Sequence, residues 1–351
     1  MSEKDKILII IPSYNGLDYW PSLLPLLTQQ KYAQFEVEIL VVDNNSADGS
    51  ADFLEKNYPQ IKVIRNSFNT GYVGANNIGY QQAKEIGAKY IYLLNQDTVV
   101  TSDFLLPLYQ FAEKNNKVGS LQSKLRLWSK KDRINTIGNA IHFLGFGYGL
   151  GSNTFDKNNQ KIKKINYSSG AGELLSMKAL AEKGGLFDET MFAYLEDLDL
   201  GWQLALLGYE NYLVPESVVY HKYEFDRSMR QYYWFERNRL WTMLKNYKIA
   251  TMVLIFPAWL LMETAQLFYA LKNKKLKDKI RAYGFLFSAR ERKILKAKRE
   301  EIQSKRCRSD RQVVGRFTGV ILFQPLDSLA LKIANFIFFI YWRVVKLFIF
   351  W

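Results

Sequence analysis

Short apolar runs alternate with helical segments through the first 125 residues, and this alternation constrains the fold more than any other feature of the chain. Residues 6–11 (KILIII) read as a buried strand, 18–29 as a helix, 36–42 as a β-branched strand and 50–57 as a helix. The series continues with a strand at 61–65, a helix at 74–86, a strand at 90–95, a helix at 102–114 and a strand at 118–125. Such a series predicts an α/β fold with a mainly parallel twisted sheet covered on both faces. A chain of 351 residues can build that domain and an appendage. In an open sheet of this kind, ligands bind beyond the carboxyl ends of the strands. Three predicted strands run into polar clusters at that edge, at 12–15, 43–46 and 95–97.

Each cluster carries residue types suited to a nucleotide. In IPSYN (11–15), Pro12 ends a strand, and Tyr14 and Asn15 can frame a flat base. In VVDNNSADGS (41–50), Asp43 can accept hydrogen bonds from a base or ribose, or it can cap the next helix. Ser46 or Asp48 can take the capping role and leave Asp43 for a ligand. The stretch NTGYVGANNIGY (69–80) opens a helix with glycines and asparagines, which suits close approach to phosphate. It lacks the Gly-Lys-Ser/Thr ending of a Walker loop, and it does not follow the first strand as a dinucleotide fingerprint should. In LLNQDTVV (93–100), Asp97 suits a divalent cation held by one or two carboxylates plus phosphates, or else a turn. Glu196 and Asp197 open the amphipathic helix 196–207, which Gly208 closes. Carboxylates there complement the helix dipole. His221 ends the strand SVVYH and is a metal or diphosphate ligand, or an ordinary edge-strand residue. Arg227, and Arg237 or Arg239 in the run 232–241, could add positive charge for phosphate, or that run is a basic, aromatic membrane-facing helix.

Taken in order and spacing, IPSYN, VVDNNSADGS, NTGYVGANNIG and LLNQD resemble the family 2 glycosyltransferases. Within that family the chain is most similar to the rhamnosyltransferase-like subgroup of bacterial surface-polysaccharide biosynthesis. The resemblance runs from about residue 6 to about residue 245. It implies a GT-A (nucleotide-diphospho-sugar transferase) fold, a nucleoside-diphosphate sugar donor, inversion at the anomeric carbon and a Mg2+ or Mn2+ cofactor. It also implies that Pro12, Tyr14, Asn15, Asp43 and Asn45 surround the nucleotide, and that Gly71, Gly74 and Asn77 lie near the sugar-diphosphate. Gln96 belongs to the same donor site, and Asp97 is the last residue of an Asp-x-Asp metal motif whose first position is here Asn95. His221 is the second metal candidate. Asp197 is then the general base, with Glu196 orienting it or sharing the role. The expected reaction moves rhamnose from dTDP-rhamnose to a saccharide or polyprenyl-linked acceptor. A UDP-hexose donor is the alternative, and a catalytically inactive nucleotide-sugar binder is a third reading. A nucleotidyltransferase would want a Gly-rich loop followed by Lys or Arg near the first strand, which IPSYNG lacks.

The rest of the chain differs in character. Residues 126–165 read as an irregular connection, and 209–220 as two short strands around Pro215. The net charge is +14, and residues 272–311 alone hold 16 Lys or Arg against 5 Asp or Glu. That block lies between two apolar stretches, 249–271 with the single charge Glu263, and the aromatic 329–351. Either stretch can meet a bilayer, spanning it or lying in its interface. Anionic inner-leaflet lipid is therefore the expected partner of the basic block, and nucleic acid, suggested by charge alone, is not. The division expected is a catalytic domain at 1–245 and a membrane-associating region at 246–351. One cysteine, Cys307, excludes a disulfide framework within the chain and a Cys-based zinc site. The N-terminus has no signal-peptide pattern, so the catalytic half is expected at the cytoplasmic face of the membrane.

Overall fold

A computed structural model describes residues 4–223, 231–323 and 329–351. The chain forms two compact units. The first comprises Met1–Asn139, Gly149–Leu204 and Tyr209–Tyr223, and holds the sheet. Its strands are β1 (Asp5–Ser13), β2 (Phe35–Asp43), β3 (Lys62–Arg65), β4 (Tyr90–Leu94), β5 (Thr98–Val100), β6 (Val118–Leu127) and β7 (Ile134–Thr136). A separate two-stranded ribbon pairs β8 (Asn139–Ile141) with β9 (Gly147–Gly149). The main sheet resumes with β10 (Lys163–Ile165), β11 (Gly172–Ser176) and β12 (Glu210–His221). Its order is β10-β12-β6-β11-β4-β1-β2-β3, with β5 added to β12 and β7 to β6.

The predicted alternation sets the parallel part. β4, β1, β2 and β3 run parallel, with Ile7 opposite both Val37 and Tyr90. Helices α1 (Trp20–Thr28), α2 (Ser50–Asn57), α3 (Gly71–Glu85) and α4 (Leu105–Glu113) connect or follow these strands. Trp20, Leu23, Leu24 and Leu27 recur at helical spacing on α1 and join Ile7, Ile9 and Ile11 of β1 in one core. Burying each such side chain contributes about 1.5–3 kcal/mol. The other half of the sheet is mixed, because β11 enters antiparallel between β4 and β6. Helix α5 (Met177–Lys183) follows β11, and α6 (Glu196–Leu206) precedes β12.

Two local expectations are corrected. The region around Pro215 is one strand, not two, because the ladder with β6 absorbs the proline at a register shift between Val214 and Val218. The connection 126–165 is not simply irregular. It contains short strands, and Asp156 within it is buried against Lys124 at 2.9 Å and against Arg126.

The second unit comprises Ala140–Tyr148, Ala205–Gly208 and Glu224–Trp351. Its helices are α7 (Tyr232–Asn246), α8 (Ile249–Lys272), α9 (Leu276–Ala282), α10 (Ala289–Lys305), α11 (Asp310–Val314) and α12 (Leu329–Phe348). Among the described residues, α8 is the one helix long and apolar enough to cross a membrane. Glu263 on α8 does not face solvent. It is buried with Arg239, with Lys279 at 2.6 Å and with the Tyr283 hydroxyl. Ile249, Val253, Phe256, Leu260 and Phe268 of the same helix are exposed, as are Ile333, Phe336, Ile340 and Leu347 of α12. Arg239 is committed to Glu236 and Glu263, and buried Arg237 stacks 4.1 Å from the Trp241 ring. Both guanidinium groups thus make contacts inside this unit, and Arg227 lies outside the described residues.

Candidate active site

The carboxyl ends of β1, β2 and β4 form one edge, since Ser13 pairs with Asp43 and Ile10 with Leu93. Parallel register thus brings the three polar clusters together. Past β1, the Tyr14 N–H donates to Gln96 Oε1 at 3.0 Å, and Gln96 Nε2 donates back to the Tyr14 carbonyl at 3.1 Å. This reciprocal pair leaves the Tyr14 ring about half exposed. Gln96 therefore braces the turn that carries Tyr14, and its amide is spent on backbone. Asn15 and Asn45 both sit in the left-handed region, where Asn is tolerated better than most residues. Asn15 also ties the first cluster to the second: its N–H donates to Ser46 Oγ at 2.8 Å, and its Oδ1 accepts from the Ala47 N–H at 3.0 Å.

Asp48 lies one residue before Gly49, the N-cap of α2, and accepts from the Ser50 N–H at 3.0 Å. Asp43 is not left open by this. Its two oxygens accept from the Ser46 N–H at 3.0 Å and the Ser46 hydroxyl at 2.5 Å. A carboxylate offers about four lone-pair positions, so room for a ligand hydrogen bond remains.

Sequence reasoning passed over Asn44, which organises the Gly/Asn loop. Its Oδ1 accepts from Thr70 Oγ1 at 2.8 Å, Asn66 Nδ2 at 3.0 Å and the Thr70 N–H at 3.2 Å, while its Nδ2 donates to the Gly71 carbonyl at 3.1 Å. Gly71 opens α3 with φ of 75°, and a Cβ there would meet the Phe192 carbonyl at 2.4 Å. Only glycine fits that place. Gly74 lies one turn on, against the Thr70 side chain. Asn77 does not point its amide at the loop. Nδ2 donates to the Phe187 carbonyl at 3.1 Å and Oδ1 accepts from the Phe187 N–H at 3.0 Å, so it clasps the segment leading to α6.

Asp97 follows β4, and β5 carries the chain onto β12, where Thr98 pairs with His221. That pairing sets His221 Nε2 3.3 Å from Asp97 Oδ1. His221 Nδ1 meets Asn135 Oδ1 at 3.0 Å, which fixes the ring and turns Nε2 toward Asp97. Nearby in sequence, Asn95 Oδ1 is buried without a partner. Among the described residues no group of three His, Cys, Asp or Glu could hold a metal by itself. A carboxylate and an imidazole still suit a divalent cation whose remaining ligands are diphosphate oxygens and water.

Another set of carboxyls gathers at the start of α6. The chain enters that helix through Tyr194 and Leu195, both left-handed at φ of 71° and 64°. Two consecutive bulky residues in that region are strained, and such strain concentrates at working sites. Asp197 Oδ1 accepts from the Leu198 N–H at 2.7 Å, and a second backbone bond comes from Gly170. The Tyr72 hydroxyl donates to the Gly170 carbonyl at 2.9 Å. Burial raises both acids: Asp197 to about 6, and Glu196, beside the Asp197 charge, to about 8. As neighbours they titrate as one system, with Asp197 losing its proton first. Glu173 on β11 was also passed over. Burial first, then Asp197 and Glu196, push it well above the usual carboxylate range. Its one signal in the sequence is a lone charge inside the apolar run GELL.

Residues 8–182 match the profile described as Glycosyl transferase family 2. A poly(ribitol-phosphate) beta-glucosyltransferase of Bacillus spizizenii is 35% identical over 31% of this chain and 18% of its own length. An N-acetylglucosaminyl-diphospho-decaprenol L-rhamnosyltransferase of Mycobacterium tuberculosis is 25% identical over 53% of this chain and 66% of its own length. The chain thus spans less than two thirds of either relative. The crystal structure of GalNAc-T7 with UDP, GalNAc and Mn2+ superposes with a TM-score of 0.55 at 15% identity, covering 69% of this chain and 48% of that one. The profile covers the whole nucleotide edge, and the fold agrees with it: the chain belongs to the family 2 glycosyltransferases and is built on the GT-A fold.

Proposed function

We propose that this chain is an inverting, metal-dependent glycosyltransferase that moves a hexosyl group from a nucleoside-diphosphate donor to a saccharide acceptor in cell-surface polysaccharide assembly. The observation that carries the reading is the separation of roles between the edge at Asp97 and the raised carboxyls at Asp197 and Glu196. In this reading Tyr14 covers the base, Asp43 takes a base or ribose proton, and the start of α3 at Gly71 faces the diphosphate. A Mg2+ or Mn2+ ion held by Asp97 and His221 would neutralise charge on the departing diphosphate. Asp197 accepts the proton of the acceptor hydroxyl while that oxygen bonds to the anomeric carbon and the bond to the diphosphate breaks. Attack opposite the leaving group inverts the centre. Because the two raised acids titrate as one system, the pair can hold a single proton, so that one base and one hydrogen-bond donor stand side by side.

dTDP-rhamnose is the first donor to test, and a polyprenyl-linked saccharide the first acceptor, because the mycobacterial relative is named for rhamnosyl transfer and for a decaprenol-linked saccharide. The exposed apolar faces of α8 and α12 support membrane attachment, since Glu263 is neutralised inside its own unit. Basic residues near an anionic surface add about 1 kcal/mol each. The test is thermal-shift and turnover measurement against a panel of dTDP-, UDP- and GDP-sugars, with and without Mn2+ or Mg2+. A metal-dependent shift and turnover with dTDP-rhamnose alone supports the full reading. Turnover with a UDP-hexose instead replaces the donor, and binding without turnover leaves a nucleotide-sugar binder.

A further inference from the structure

Three carboxyls, buried Glu173 and Glu196 and half-buried Asp197, act together on the Tyr72 hydroxyl, whereas the transfer calls on two. The third is Glu173, at 1% exposure. It pairs across β11 with Leu93 of β4 on one side and Gln122 of β6 on the other. Asp197, Glu196 and Tyr72 are its electrostatic neighbours. Glu173 Oε1 is buried with no hydrogen-bond partner, and so is Glu196 Oε2. Directly opposite Glu173, Gln122 presents the complementary deficit. Its Oε1 is used by Asn139 Nδ2 at 3.1 Å and the Ser169 N–H at 3.0 Å, but its Nε2 is buried and unpartnered. Directly opposed residues of an antiparallel pair share one face of the sheet, with Cβ atoms about 4.5–5.5 Å apart.

Buried polar atoms are rarely left unmatched, and a set of unmatched atoms beside a candidate base asks what fills it. A sugar hydroxyl donates and accepts at once, so it can take a hydrogen bond from the Gln122 amide while giving one to a carboxyl. We propose that Glu173 is an acceptor-binding residue, whose carboxyl, with the Gln122 amide, holds a hydroxyl of the acceptor sugar beside Asp197. The proposal rests on the glycosyl-transfer reading above and adds to it the wall of the acceptor subsite. Burial, then the two neighbouring acids, favour the protonated form of Glu173. A trapped water is the competing occupant.

The test compares the full-length chain with Glu173→Gln and Glu173→Leu, using the nucleotide sugar that turns over in the panel. Octyl glycosides of glucose, N-acetylglucosamine and rhamnose serve as acceptor probes. The leucine variant is expected to raise the acceptor KM about tenfold or more, because a site built around a hydroxyl loses its partner, while the donor KM stays put. Glutamine keeps the shape and one donor and one acceptor, so it should recover most of the loss. It should also shift the alkaline limb of kcat/KM, which a merely structural role would leave alone. Unchanged acceptor KM in both variants, or an equal rise in donor and acceptor KM, overturns the proposal and favours the water. Should the leucine variant not fold, the glutamine variant decides through the alkaline limb of kcat/KM: no shift there overturns the proposal. Donor hydrolysis with no transfer to any probe counts against it too. A wild-type chain that consumes no nucleotide sugar removes the transferase reading itself, and this one with it.

Discussion

Two acidic regions of the first unit meet the cost of burial in opposite ways. Asp156 is surrounded by donors. Burial works against its charge, but hydrogen bonds from Lys124, the Asn158 N–H and Arg126 outweigh that and hold it down at about 2. Glu173 and Glu196 are also withdrawn from water, and Asp197 partly so, yet among the described residues none forms an ion pair with Lys or Arg. Burial and mutual repulsion raise them instead. A charge that serves the fold is matched by the fold, and acids left raised and unmatched are kept for something that arrives later. The strained entry to α6 at Tyr194 and Leu195 lies on the unmatched side of this comparison.

The strongest way to break the comparison is to neutralise one acid on each side. Asp197→Asn should lower kcat by about a thousandfold, as expected for losing a general base, with nucleotide affinity unchanged. Steady-state rates and nucleotide titration check this, and full activity would remove Asp197 from the chemistry. Asp156→Asn should do the reverse. It strands Lys124 and Arg126 beside a neutral amide and should cost about 3 kcal/mol in urea denaturation, with turnover per folded molecule retained.

A smaller effect is expected from Asn44→Ala. The substitution removes one acceptor that serves three donors and one donor that holds Gly71, so about 2 kcal/mol of stability should go. Nucleotide affinity should fall as well, because the loop before α3 loses its tie to β2. A stability loss with unchanged nucleotide affinity would make Asn44 a purely structural node.

How much of this was legible in sequence follows the range of the forces involved. The periodicity of KILIII and EVEILVV reports burial on both faces of a sheet, which a neighbouring segment cannot alter, and β1 and β2 fall there. The start of α2 was legible because turn contacts are local, as Asp48 and Ser50 show. Side-chain partners were not. Gln96 and Asn77 carry the residue types of ligand contacts, yet each closes a reciprocal pair with backbone far along the chain, at Tyr14 and Phe187. Nothing in local composition distinguishes an amide that binds a ligand from one that binds a peptide group. Glu173 was hidden for the same reason: its neighbours come from β6, α3 and α6. Pro215 misled because a strand break and a strand bulge carry the same residue.

The finest discrimination between the two acidic regions is the pH dependence of stability, and Glu196→Gln exposes it. Glu196 keeps its proton in the folded chain up to about pH 8, because burial and then the Asp197 charge oppose ionisation, whereas the unfolded carboxyl ionises near the ordinary 4.5. Over that window the unfolded chain binds fewer protons, so stability falls as pH rises and levels off above about 8. Asp156 has the opposite sign: its contribution is present above the ordinary 3.8 and is lost as pH falls toward about 2. Glutamine at 196 cannot ionise, so the variant should gain little at pH 5 and on the order of a few kcal/mol at pH 9, the usual sign of an active-site acid held against its preference. Denaturation midpoints at the two pH values measure it. An equal loss at both would mean that Glu196 is matched by the fold after all, and it would then belong with Asp156 rather than with Asp197.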